Sequence, residues 1–126
     1  MTNNECLFCT IDQERIIEHN DLAYVIRDGF PVTEGHSLII PKRHAVDFFE
    51  LTRDETEACN DLLHSQRNAL MASDNSITGF NIGMNAGESA GQTIFHCHIH
   101  LIPRRDGDVD NPRGGVRHLI PGKGFY

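Results

Sequence analysis

Apolar residues in this chain fall mostly into short runs that predict strands, and only one longer stretch repeats at the helical period. Leu22-Ala23-Tyr24-Val25-Ile26 is apolar, aromatic and β-branched and predicts a strand, closed by the turn signal Asp28-Gly29. Gly35-His36-Ser37-Leu38-Ile39-Ile40 predicts a second strand, stopped by Pro41. The two read as a hairpin with a long loop. Thr52-Arg53-Asp54-Glu55 is a capping box, and behind it Cys59, Leu62, Leu63, Ala69 and Leu70 recur close to the helical period. One amphipathic helix is therefore expected from about Thr52 to Met71, ended by Ser73-Asp74-Asn75-Ser76. Phe80 to Met84 predicts a third strand. His96 to Ile102 alternates strictly, with His96, His98 and His100 on one face and Cys97, Ile99 and Leu101 on the other, and Pro103 is expected to end it. The tail from Arg104 is rich in Gly, Pro and Arg and has no period. Strands joined by hairpins around one main helix argue an antiparallel α+β fold. No repeat, linker or low-complexity stretch divides residues 1–126, so one domain is expected.

Composition narrows the function classes. At 39% hydrophobic and 23% charged residues, disorder is not expected. A formal net charge of -7 argues against binding polymeric nucleic acid, whose affinity comes largely from Lys and Arg on phosphates. A single small anion remains accessible to a site built from backbone N–H groups and histidines. No apolar run approaches the ~20 residues of a membrane span. Met1-Thr2-Asn3-Asn4-Glu5 has no basic segment leading into an apolar one, so no signal peptide is read there. The four cysteines, Cys6, Cys9, Cys59 and Cys97, then suit a reducing, cytoplasmic setting. There a C-x-x-C pair suggests metal binding or redox chemistry, and the lack of a βαβ context argues against a thioredoxin-like role.

The alternating histidines carry the chemistry. On a strand, successive ones sit about 7 Å apart, held in a row by an apolar face docked on a core. Imidazole is mostly neutral yet easily charged near pH 7, so one ring nitrogen can attack phosphorus while a neighbour moves a proton. At that spacing three histidines cannot converge on one metal ion, which disfavours a metallohydrolase. The lone His19, His64 and His118 are read as solvated or packed side chains. The preceding loop, Asn85 to Thr93, contains glycines that let a phosphate approach the backbone.

His96-Cys97-His98-Ile99-His100-Leu101-Ile102 resembles the H-φ-H-φ-H-φ-φ signature of the histidine triad family, where φ is apolar. Asn85 followed by Gly91-Gln92-Thr93 is similar to that family's phosphate loop, and Gly35-His36-Ser37-Leu38-Ile39-Ile40-Pro41-Lys42 to its G-H-x-L-φ-φ-P-K hallmark. The match runs from Cys6 to about Arg105, roughly four-fifths of the chain. The resemblance implies an antiparallel sheet with two helices, paired into a homodimer, and a small-molecule nucleotide as substrate. It implies that His98 is the nucleophile that takes up the α-phosphate as a nucleotidyl-histidine, flanked by His100 and His36. It implies phosphate and leaving-group contacts from Gln92 and Thr93, with Gly91 and Asn85 in the same loop, and a ribose-hydroxyl acceptor at Asp28. No catalytic cofactor is implied.

Cys6 and Cys9, with His44 of Pro41-Lys42-Arg43-His44 and His96, resemble the ligand set of family members that carry structural zinc. Two thiolates and two imidazoles make a closed tetrahedral site. Free reduced cysteines without metal are the alternative. Pro103-Arg104-Arg105-Asp106-Gly107-Asp108 is closer to the dinucleoside polyphosphate hydrolase (fragile-histidine-triad) branch than to the phosphoramidase branch. The alternatives are a purine nucleoside phosphoramidase and, in another class, a non-catalytic nucleotide-binding regulatory module. The segment Gly114 to His118 departs from both branches.

Overall fold

Thr52 opens the one α-helix among the described residues of the computed structural model, which describes residues 5–126. The helix, α1, spans Arg53–Ser73, and both halves of the capping box are formed: the Thr52 hydroxyl accepts from the Glu55 N–H while the Glu55 carboxylate accepts from the Thr52 N–H. Before and after it lie β1 (Ile16–His19), β2 (Ala23–Arg27), β3 (Ser37–Pro41), β4 (Ile77–Gly83) and β5 (Ile99–Arg105). All pairings are antiparallel, in the order β1-β2-β3-β5-β4.

The period of two divides the sheet into two packed faces. Ala23, Val25, Ile39, Ile99 and Leu101 face α1, where they meet Cys59, Leu62 and Leu70. Tyr24, Ile26, Leu38 and Ile40 face the other way and are covered by Phe8 of the N-terminal segment. This two-sided burial is why β2 and β3 read as continuous apolar runs. A polar staple ties α1 to the edge of the sheet: Ser65 and Gln66 donate to Glu18, and Arg27 donates to Gln66 and Ser37.

The hairpin of β2 and β3 and the helix match the expectation. β1 carries no strong sequence signal: it is four residues long, half-exposed and at an edge. The last strand differs. It begins at Ile99, not His96, and it runs through Pro103 to Arg105. Pro103 is tolerated because the pairing with β3 stops at Leu101, so from there β5 is bonded only to β4. The resemblance implies two helices; beside α1 the described residues hold only short 3-10 turns, among them Phe48–Glu50. The tail folds back through a 3-10 turn, Gly115–Leu119, and the guanidinium groups of Arg113 and Arg117 lie 4.7 and 4.9 Å from the Tyr126 ring centroid. No helix among the described residues is long and apolar enough to cross a membrane. Of the N-terminal segment read as lacking a signal peptide, residues 1–4 lie outside the described residues.

Candidate active site and metal centre

The three alternating histidines do not form an even row. Residues 96–98 precede the paired part of β5, and there Cys97 donates its N–H to the Ala45 carbonyl at 2.7 Å. This leaves the His96 ring free to turn into the interior, where it is fully buried. Its Nε2 lies 2.7 Å from the Pro41 carbonyl, which can only accept, so Nε2 carries the proton and Nδ1 the lone pair. That lone pair faces Cys6 Sγ at 3.3 Å and Cys9 Sγ at 3.5 Å, while His44 Nδ1 lies 3.2 Å from Cys9 Sγ.

The donor atoms of Cys6, Cys9, His44 and His96 all lie within 4.8 Å of one another. Tetrahedral ligands about 2.0–2.3 Å from a zinc ion would be separated by distances of this size. A ligating histidine also commonly gives its other N–H to a carbonyl, as His96 does to Pro41. The set fits a closed metal site. The arm carrying His44 is braced independently of it: Arg43 donates twice to Glu55, at 2.8 and 2.9 Å, and once to the Glu50 carbonyl. Arg43 holds the Glu55 carboxyl down at about 2.

The remaining histidines form a chain. Gly35, at φ +91, makes the tight entry into β3, and a Cβ there would press on Leu70 and Pro103 at 3.1 and 3.2 Å. Beside it, His36 Nδ1 accepts the Val32 N–H at 3.1 Å, so the neutral ring carries its proton on Nε2. That proton is aimed at His100 Nδ1, 2.9 Å away, with Asp28 Oδ2 at 3.4 Å. His100 must then hold its own proton on Nε2. His98 Nδ1 lies 2.8 Å from the His96 carbonyl and so is the protonated nitrogen, leaving the Nε2 lone pair without a hydrogen bond among the described residues. The rings of His98 and His100 are 5.3 Å apart, closer than the spacing expected of an even row.

Asp28, His36 and His100 also bring their donor atoms within 4.8 Å. As a metal site this group fits poorly. A neutral His36 ligating through Nε2 would need its proton on Nδ1, directly against the Val32 N–H. The group is a hydrogen-bonded cluster in which the single Nε2–H of His36 faces His100 Nδ1, with Asp28 Oδ2 beside the same nitrogen.

Burial, then the neighbouring His98 and His36, push the His100 pKa down to about 4, against the pull of Asp28. Burial also lowers His36. Both rings are therefore neutral donors near pH 7. A histidine held down in the folded state binds its proton more readily once unfolded. The stability this contributes is present above the ordinary histidine value of about 6.5 and is lost as pH falls from there towards 4. Urea midpoints should accordingly fall between pH 6.5 and 4, and His100→Asn should flatten that part of the profile.

The loop before β5 is shaped by Gln92. Its side chain is buried, accepting the Gly87 N–H at 2.8 Å and donating to the Val46 and Ile94 carbonyls. The Gln92 amide thus braces the loop for which the phosphate contact is implied. Asn85, Gly91 and Thr93 are exposed, and Gly91 is left-handed at φ +92. Asp28 spends Oδ1 on the Phe30 N–H and turns Oδ2 to His36. The sequence signals did not single out Phe8, whose ring meets His98 at 5.0 Å.

The HIT domain family model matches residues 10–107. The chain belongs to the histidine triad (HIT) family. A HIT family protein from Bacillus anthracis superposes with a TM-score of 0.75 at 38% identity, over 82% of this chain and 76% of that one. A Zn-bound histidine triad family protein from Mycobacterium smegmatis gives a TM-score of 0.74 at 33% identity, over 82% and 78%. The adenylylsulfatase HINT3 of Arabidopsis thaliana is 37% identical over 109 residues, 83% of this chain and 55% of that protein.

Proposed function

We propose that this protein is a nucleotide hydrolase or transferase that works at the α-phosphate of its substrate through a nucleotidyl-histidine on His98. The observation that carries this reading is the assignment of protons along the histidines. The His96 carbonyl takes the His98 Nδ1–H, so the Nε2 lone pair is the one offered outward. A neutral imidazole in that tautomer is a competent nucleophile. His100, kept neutral with its proton on Nε2, donates to the phosphoryl oxygens as negative charge builds there. His36 fixes that tautomer from behind, and Asp28 holds His36.

In the first step His98 Nε2 forms a bond to phosphorus as the bond to the leaving group breaks, and the leaving group takes up a proton from solvent. In the second, water attacks phosphorus and gives up a proton to solvent as the phosphorus–nitrogen bond breaks and His98 leaves as the free imidazole. Asp28 offers a carboxylate suited to the ribose diol. Asn85, Gly91 and Thr93 lie on the exposed rim of a loop whose shape Gln92 maintains, positioned for phosphate and leaving-group contacts. Cys6, Cys9, His44 and His96 would hold a structural zinc, which ties the N-terminal segment to the sheet and supplies no chemistry to the reaction.

A dinucleoside polyphosphate is the favoured substrate class. The Arg104 to Asp108 turn that suggested it is self-contained: Arg104 is held by Asp108 and Asn81, and Arg105 by Asp74 and the Glu34 carbonyl. It therefore does not read the substrate directly. Parallel turnover assays with a dinucleoside polyphosphate, an adenosine phosphoramidate and adenylyl sulfate test the reading, the last because one relative is named an adenylylsulfatase. Preference for the phosphoramidate would move the protein to the purine nucleoside phosphoramidase class. No turnover with any of the three, alongside tight nucleotide binding, would make it a regulatory binding module.

The assembly proposed is a homodimer. β4 is an edge strand, paired with β5 alone, and its Ile82 is half-exposed. Ile82, with Phe80, Leu63, His64, Arg67 and Leu101, lines a cavity of about 350 Å³ between β4 and α1. An open edge beside an apolar hollow is a surface natural proteins cover. Sedimentation at micromolar concentration should give twice the 14.2 kDa chain mass, and Ile82→Asp should shift it towards the monomer. A wild-type monomer would contradict the pairing.

A further inference from the structure

Phe8 sits inside the turn that the two C-x-x-C thiols define, where the Cys9 N–H closes onto the Cys6 carbonyl at 3.2 Å. Its ring is 4% exposed and packs with Tyr24, Ile26, Leu38 and Ile40. The Tyr24 hydroxyl donates to its carbonyl, so the backbone of the turn is held as well as the ring. From this position the Phe8 ring meets two histidines of the signature edge-on: His96 at 6.0 Å and 87°, and His98 at 5.0 Å and 65°. These are the inclined geometries that aromatic rings prefer.

His98 has one hydrogen bond, from Nδ1 to the His96 carbonyl. One bond anchors one atom. It does not by itself stop the ring from swinging about that atom, or from turning over and offering Nε2–H to solvent. Two rings pack edge-on against it and limit those motions, Phe8 at 5.0 Å and His100 at 5.3 Å. Both Phe8 and the anchoring carbonyl are tied by the chain to residues of the metal cluster. Phe8 is flanked by two of its sulfur donors, and His96 is itself a donor.

We propose that Phe8 is a positioning residue that passes the geometry of the Cys6, Cys9, His44 and His96 cluster to the His98 ring, so that metal occupancy decides whether Nε2 is presented to substrate. The inference rests on the reading of His98 as nucleophile. The cluster stabilises the N-terminal segment and also sets the aim of the attacking atom, through a backbone carbonyl on one side and an aromatic ring on the other. Misplacing a reacting atom by about 1 Å costs up to about a hundredfold in rate.

The test compares wild type with Phe8→Met, which keeps the apolar volume and loses the flat ring. Imidazole ¹⁵N spectra are recorded at one fixed pH on zinc-loaded protein, with zinc content, nucleoside monophosphate affinity and kcat measured on the same samples. Wild-type His98 should show a single Nδ1–H tautomer. Phe8→Met should show mixed tautomers and a kcat lower by about tenfold to a hundredfold, with zinc content and monophosphate affinity unchanged. Removing zinc from wild type with a chelator should move the His98 resonances in the same direction, and removing it from Phe8→Met should add a smaller shift, the part carried by the His96 carbonyl. Wild-type His98 shifts and kcat in Phe8→Met would overturn the proposal, as would wild-type resonances that stay put when zinc is removed. Phe8→Leu serves if the methionine variant does not fold, and the zinc-removal arm on wild type stands without either variant. Because the spectra do not depend on turnover, their outcome is separable from failure of the nucleophile assignment itself.

Discussion

Replacing His98 with alanine is expected to cut turnover by at least ~10³-fold, a barrier increase of about 4 kcal/mol, while leaving the protein folded and loaded with metal. The large effect follows from covalent chemistry: no neighbouring atom occupies the position of the Nε2 lone pair, and His100 offers a donor there, not a lone pair. The small structural effect follows from the contacts. His98 is only partly buried and makes a single hydrogen bond, to a backbone carbonyl, so its loss should cost on the order of 1 kcal/mol. Steady-state assays, thermal melts and metal analysis on one preparation check all of this together. Retention of more than a few per cent of wild-type turnover would remove His98 from its role.

The opposite profile is expected of Cys6→Ser. A hydroxyl is a poor zinc ligand, and three remaining donors leave the site open. A ligand that occupies the folded state at a thousand times its dissociation constant contributes about 4 kcal/mol, and its loss at this chain length lowers Tm by roughly 15 °C. Zinc content and melting temperature should fall together, measured on protein purified without chelator or a metal-affinity tag. Activity should fall less steeply than in His98→Ala, because the His36–His100 hydrogen bond, with Asp28 beside it, does not pass through the cluster. Substoichiometric, easily dialysed zinc in wild type, with an unchanged melt in the variant, would defeat the structural-site reading and return His96 to the acid–base candidates.

Much of this arrangement is legible in the residue pattern, and the parts that are not have identifiable physical causes. The capping box placed the start of α1 because its two hydrogen bonds are local to Thr52 and Glu55. The β2–β3 hairpin is legible because burial on both faces leaves Ala23–Ile26 and Leu38–Ile40 as unbroken apolar runs. Alternation places the three histidines on one strand face but cannot reveal that pairing begins only at Ile99, since that depends on the chain before it leaving β3, where Cys97 bonds to Ala45 instead. Pro103 reads as a stop because it has no N–H to give a ladder, yet β5 continues through it because it has no neighbour on the β3 side, a fact of topology and not of the residue itself. Gln92 shows the same limit. Its place in a phosphate-loop motif suggested a ligand contact, yet its amide is taken up by Gly87, Val46 and Ile94, partners only the folded loop assembles. Phe8 carried no signal because a single aromatic beside a cysteine reads as ordinary core.

The central claim is that phosphorus is transferred to one atom, His98 Nε2, and the most direct measurement is capture of that bond. Substrate labelled at the α-phosphate is mixed with enzyme, quenched within the first turnovers without acid, and digested for mass spectrometry. The account predicts a nucleoside monophosphate adduct on the peptide that contains His98, decaying at the rate of product formation and absent from His98→Ala. Label on another residue, or full turnover of wild type with no adduct at any time point, would contradict it.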